Sequence, residues 1–424
     1  MSTTKTILAF AALALGATAL AAQQAPATHS PQAAAILGDI RYLASDSLDG
    51  RLTGSPQNDS AAAYLSRRFK RLGLRPGGDD GGYLQHWTVN PTSGTRAAGV
   101  AGRATENVIG ILPGSSRALA GEDIVVGAHF DHLGNGPFGS MAHGDSAHLM
   151  HPGADDNASG TAGVLEIARI LAARRPRPAR TIVFVLFSGE EEGDLGSAWY
   201  VDHPAVAMDS TYAMLNLDMV GRMRDNRLLV LGVLSAKEWP SLLDSVDAPY
   251  HLDVHASGTG WGPSDQNSFY AKHVPVLHFF TDVHADYHAP GDTWDKINAD
   301  GVETVARLVA DMARRLAGRR ASLTYVNAPP PMMAAGERAY LGSIPDMTSE
   351  PGGVLLSGVT AGSPADSGGL KAGDVITGIG GDSVANLVDM QNALVKHHPG
   401  DTVDIRVRRG DQTLTLPVTL GRRQ

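Results

Sequence analysis

Apolar residues recur along this chain with two alternating periods. Ala33 to Ala44 and Ala61 to Leu72 carry a helical repeat, with Leu65, Phe69 and Leu72 on one stripe. Asn107 to Leu112 predicts a short strand. Beyond Glu122 the apolar runs Ile124–Ala128, Thr181–Phe187, Tyr212–Leu217 and Val274–Phe280 predict strands, and helical patterns separate them. Val164, Ile167, Ala168 and Leu171 place a helix after Asp156. Val302, Val305, Ala306, Val309, Met312, Ala313 and Leu316 form a closing helix. Strands and helices in alternation predict an α/β sheet with crossover helices from about Glu122 to Leu316. Asn327 to Met333, with three consecutive prolines, reads as an extended linker, and a separate module follows.

The first residues follow a different rule. Lys5, the apolar run Ile7–Leu20 and the small-x-small triplet Ala19-Leu20-Ala21 form a signal peptide over 1–21, too short to span a bilayer. The expectation is an exported protein, periplasmic or extracellular, with no stable membrane insertion after cleavage. Composition narrows the chemistry. With 43% hydrophobic and 19% charged residues, the 424-residue chain buries a sizeable core. A formal charge of −9 argues against a nucleic-acid partner. The absence of cysteine excludes disulfides, thiol nucleophiles and thiolate-held metals, so any metal is held by nitrogen and oxygen.

Polar residues cluster where the strands end. His129 follows the first run, Glu190 and Glu191 follow the second within a short turn, and Asp218 follows the third directly. Asp156 lies in the loop after His129, beside a helix start, and His288 lies in the loop after the fourth run. In an open α/β sheet, groups at the carboxyl ends of strands converge on one crevice. Four carboxylates there repel one another unless cations join them. Asp156, Glu191, Asp218 and a bridging hydroxide together balance two Zn²⁺, leaving Glu190 free as a base. Co²⁺ or Mn²⁺ suits the same donors. The competing readings are ordinary: a surface His-x-Asp, helix capping by Asp155-Asp156-Asn157, and a solvated Glu190–Glu192 turn. Capping is expected of Asp155 and solvation of Glu192. His132 is expected outside the inner shell, His143, His148 and His151 as exposed loop residues, and Arg222 at the surface. Ser264 and Asp265 either cap a short helix ending near Ala271 or border the pocket.

These segments, together with Tyr42–Arg51, Gly73–Pro76 and Gly262–Asp265, resemble the secreted co-catalytic di-zinc aminopeptidases of the bacterial leucyl aminopeptidase type. The resemblance covers Ser30 to Leu316 and implies a three-layer, phosphorylase/hydrolase-like mixed sheet with helices on both faces. It implies His129 and Asp218 at the first zinc, Glu191 and His288 at the second, and Asp156 bridging both. It further implies Glu190 as general base, Asp131 orienting the imidazole of His129, and Tyr287 stabilising the oxyanion. The activity so implied is removal of N-terminal residues from peptides with a free N-terminus, by metal-activated water. A carboxypeptidase, dipeptidase or other amide hydrolase on the same site is the first alternative. A non-catalytic scaffold presenting the C-terminal module is the second.

That module runs from Val354–Val359 through Gly362-Ser-Pro-Ala-Asp366 and Gly369–Asp374 to a strand at Val375–Ile379. A helix at Leu387–Val395 and a hairpin of Val403–Val407 with Leu414–Val418 complete it. It resembles the β-rich PDZ domain of exported bacterial proteases, and Arg338–Gly342 resembles the loop that holds a peptide C-terminus. The expected organisation is a signal peptide (1–21), a catalytic domain (30–320), a linker (321–335) and a PDZ domain (336–422).

Overall fold

Ser30 and Ser55 each stand before a proline, and each accepts a hydrogen bond from the backbone N–H three residues on, at 3.0 and 3.1 Å. These caps start α1 (Pro31–Leu43) and α2 (Pro56–Arg71). Helix α2 thus begins ahead of the expected Ala61, because its first turn is polar and carries no hydrophobic period. The computed structural model describes residues 29–90, 97–142, 144–330, 339–346, 352–360 and 362–422; the expected signal peptide lies outside them. No helix among the described residues is long and apolar enough to cross a membrane.

The strands β1 (Arg75–Pro76), β2 (Leu84–Thr88), β3 (Ala104–Leu112), β4 (Asp123–His129), β5 (Thr181–Phe187), β6 (Thr211–Leu217), β7 (Arg227–Leu231), β8 (Asp253–Ser257) and β9 (Val276–Phe280) form one mixed sheet. Its order is β1-β3-β5-β4-β6-β9-β7-β8, with β2 beside β3. The central strands β5, β4, β6 and β9 are parallel to one another. Their side chains alternate between two cores. Ile124, Val126, Ile182 and Phe184 pack with α1, α2, α3 (Gly160–Ala173), α5 (Trp239–Asp247) and α7 (Ala299–Gly318). Val125, Val183 and Val185 pack with Tyr200 of α4 (Leu195–Asp202) and Phe269 of α6 (Gln266–Tyr270). The sheet is therefore covered on both faces, which is why its strands read as unbroken apolar runs.

Asp123 opens β4 fully buried. Thr211 Oγ1 donates to its Oδ1 at 3.2 Å, and its Oδ2 has no partner. Burial pushes this carboxyl up to about 7. The folded state then holds the proton more tightly than the unfolded chain, so stability falls as pH rises from about 4 to about 7 and stays reduced above. Asp123→Asn keeps an acceptor for Thr211 and removes the charge. It is expected to stabilise the fold at pH 8 by about 1–2 kcal/mol, with a smaller gain at pH 5, in urea melts. Equal gains at both pH values would exclude the charge as the cause.

The first part of the stretch expected as a linker is held on the sheet domain. Tyr325 pairs with Ala236, and Tyr270 Oη donates to Val326 O at 2.7 Å, so this stretch is strapped to the catalytic unit. The C-terminal module has its own core, including Leu356, Ile376, Met390 and Ile405. Its strand at Val375–Ile379 and its hairpin, Thr402–Arg409 with Gln412–Thr419, match the expected pattern. Ser343–Pro345 forms an edge strand, paired with Val354–Val359.

Candidate metal centre

The four parallel strands end on one rim, and the polar cluster stands there. His129 is the last residue of β4 and Asp218 the first after β6. Glu190 and Glu191 turn away from β5, and His288 comes from the loop after β9. Asp156 joins them from the helical turn that leads into α3. All six are buried. Asp156 lies astride the cluster: its Oδ1 is 3.4 Å from His129 Nε2 and its Oδ2 is 3.1 Å from His288 Nε2. On the first side Asp218 Oδ1 also stands 3.4 Å from His129 Nε2, with Glu190 Oε2 at 3.9 Å. On the second, Glu191 Oε2 stands 3.2 Å from His288 Nε2.

These donors face one another without enough hydrogens between them. Neither ring nitrogen of His129, nor Oδ1 of Asp218, has a hydrogen-bond partner. His288 bonds through Nδ1 to Gly139 O at 2.8 Å. With the proton on Nδ1, its Nε2 lone pair points at two carboxylates, an arrangement that calls for a cation between them. The same set includes two tight triplets, His129–Glu190–Asp218 and His132–Asp156–Glu191, each with its ligand atoms within 4.8 Å of one another. The second names His132 where the distances above favour His288. His132 already donates from Nδ1 to Glu191 Oε1 at 2.7 Å, so it holds the far oxygen of that carboxylate. Imidazole with carboxylate is a donor set that fits zinc.

Without a cation the charges are strongly skewed. Burial favours neutral His129, but Glu190 and Asp218 outweigh it and hold the imidazole well above its ordinary range. His288 is likewise carried to about 10: burial works against its charge, and Glu191 and Asp156 overcome it. Burial pushes Glu190 well up, with Asp194, Glu191 and Asp218 adding to it against His129. Glu191 and Asp156 go the other way, because the imidazoles beside them outweigh burial. Tyr287 stacks on the His288 ring at 4.0 Å, and burial among these carboxylates keeps its phenol firmly protonated.

A second layer fixes the first. Asp131 is 3.6 Å from His129 Nδ1 and accepts the backbone N–H groups of Glu190 and Glu191, each at 3.3 Å. Sequence reasoning missed Asp292, whose Oδ2 accepts the N–H groups of both Asp155 and Asp156. The Pro-Gly-Asp turn after His288 was the available signal. Several expectations are corrected. Glu192 is buried and accepts from Thr53 Oγ1 at 2.7 Å, so it is no solvated turn residue. Asp155 is no helix cap: it ties Gly221 N at 2.6 Å and His284 Nε2 at 3.1 Å to the bridging turn. His151 is buried against Ser140, while His148 is exposed. Arg222 pairs with Asp286 at 2.9 Å instead of lying free. Asp265 precedes α6 without a side-chain cap bond, and both its oxygens are buried and unpartnered. Ser264 is occupied by Asn216 at 2.9 Å.

An α/β sheet with a buried imidazole–carboxylate nest at its carboxyl rim has the build of a metal-dependent hydrolase. Residues 107–313 match the family model described as Peptidase family M28, and residues 339–420 match that of the PDZ domain. The two matched stretches are similar to a peptidase family M28 domain, over just under half of the chain, and, behind it, to a PDZ domain. A probable leucine aminopeptidase of Arthroderma benhamiae is 30% identical over 223 residues, 49% of this chain and 56% of the relative. The chain thus spans a little over half the length of that relative. A Do-like HtrA serine protease of Lactococcus lactis is 43% identical over 75 residues, 18% of each chain. The solved structure of a Zn-dependent exopeptidase from Parabacteroides distasonis superposes with a TM-score of 0.55 at 18% identity, covering 66% of this chain and 97% of that one, and so shares the fold.

Proposed function

We propose that this chain is an exported aminopeptidase with two zinc ions, acting on peptides with a free N-terminus. The observation that carries the reading is Asp156, with one oxygen toward His129 and the other toward His288. His129 and Asp218 would hold one ion, Glu191 and His288 the other, and Asp156 both. Bound zinc supplies a Lewis acid and a water acidic enough to react at neutral pH. Glu190, not needed as a ligand, receives the proton of the attacking water and passes it to the leaving amine. Tyr287 donates its phenolic hydrogen to the oxyanion. Asp131, 3.6 Å from His129 Nδ1, would orient that ring, and His132 holds Glu191. The edge strand Ser343–Pro345 of the PDZ domain, without a second strand partner among the described residues, would take a peptide C-terminus as an added strand.

Leucine p-nitroanilide and its N-acetyl derivative, assayed before and after chelation, test this. The free substrate is expected to turn over, the blocked one to resist, and chelation to abolish activity until zinc is returned. Equal cleavage of both would sink the aminopeptidase assignment, and indifference to chelation the metal mechanism.

A further inference from the structure

The segment Tyr42–Arg51 carries none of the proposed ligands, yet it ends in a fully buried guanidinium beside the metal centre. Arg51 Nε donates to Phe130 O at 2.7 Å, and Nη1 donates to Leu43 O at 2.8 Å and Pro152 O at 2.6 Å. Nη2 donates to Gly153 O at 3.0 Å. All four acceptors are backbone carbonyls. Phe130 follows His129 directly, and Pro152 and Gly153 lead into the turn that carries Asp156. The backbone adds to the join: Arg51 O accepts from His132 N at 3.3 Å and from Asn58 Nδ2 at 3.2 Å, and Gly50 O accepts from Gly134 N at 3.1 Å. Glycine is required at position 50, where φ is +68° and a Cβ would meet Gly134 Cα at 2.7 Å.

A buried cation whose bonds go only to neutral carbonyls is costly unless anions lie near. Asp131, Asp156, Asp292 and Glu191 are those anions, and against the pull of burial they keep the guanidinium charged, at about 10. We propose that Arg51 is the positioning residue that pre-assembles the metal centre, clamping the His129 strand end to the Asp156 turn and setting a fixed positive charge behind the carboxylates. The inference rests on the two-zinc reading above. Only arginine has enough donors in a planar fork to hold four carbonyls at once; lysine has three at a single point.

The test uses the full chain, stripped of metal, as wild type, Arg51→Met and Arg51→Lys. Zinc affinity is read by competition with a chromophoric chelator and site geometry by the Co²⁺ absorption spectrum. Arg51→Met is expected to lose about 10–100-fold in zinc affinity, with Arg51→Lys between it and wild type. Hydrogen exchange on metal-free wild type supplies a readout that needs no variant: residues 130–134 and 150–157 are expected to stay protected together. Wild-type affinity in Arg51→Met would overturn the clamp. So would free exchange of those two segments in the metal-free wild type, including where Arg51→Met does not fold. A wild type that binds no zinc would instead remove the two-zinc reading, and the exchange data would still judge the clamp.

Discussion

Glu190→Gln is expected to lower kcat on leucine p-nitroanilide by about 10³-fold while both zinc ions remain bound. The substitution changes little in shape. Glutamine keeps an oxygen and the length of the side chain, and Glu190 is held through its backbone, its N–H on Asp131 and its carbonyl accepting the N–H groups of Gly193 and Asp194. What it loses is the capacity to take a proton. Glu190 Oε2 stands 3.9 Å from His129 Nε2, farther than Asp156 or Asp218, so on the proposed two-zinc reading those two carboxylates would serve as ligands and Glu190 as the base. Metal content by elemental analysis and kcat together check the point. A variant that turns over like wild type would release Glu190 from the base role; one that loses its zinc would make it a ligand.

The parts of this site that could be read from sequence share one physical cause. Strands β5, β4 and β6 are buried on both faces, so each shows as an apolar run whose last residue is visible, and the residue that stops the run is the one at the rim. His129 and Asp218 announce themselves in this way, and Glu190 and Glu191 follow their run within a short turn. Asp156 and His288 sit in loops, where position along the chain says little, and they needed the order of motifs in a known family. Arg51 and Asp292 escaped because their partners are backbone carbonyls and N–H groups, which exist at every residue and leave no complementary side chain to find. Glu192 was misread because a run of acids looks solvated until Thr53 is brought across from the segment after Arg51. The edge strand β8 went unnoticed because it lacks what marks the central ones. Asp253–Ser257 is half exposed and polar, so it offers no run to detect.

Asp156→Asn should damage the centre more than the loss of any other single ligand. On the proposed reading Asp156 would serve both halves, with Oδ1 toward His129 and Oδ2 toward His288. An amide puts an NH₂ group, a donor with no lone pair to offer, in place of one of those oxygens, so at least one half loses a ligand in either orientation. It also removes one negative charge from the set that, on the proposed reading, would balance two dications. His288→Ala, by contrast, strips a ligand from the second half and leaves His129, Asp218 and Asp156 in place. The expected result for Asp156→Asn is a fall in zinc affinity of at least about 100-fold, activity at background with zinc at ordinary assay concentrations, and a melting temperature that no longer rises when zinc is added. His288→Ala is expected to retain close to one zinc per chain. Metal titrations of both purified variants decide the matter: if Asp156→Asn still fills both halves as wild type does, Asp156 does not bridge them. The backbone N–H groups of residues 155 and 156 stay anchored on Asp292 in the variant, so a loss of zinc there reports on the missing oxygen and not on a displaced turn.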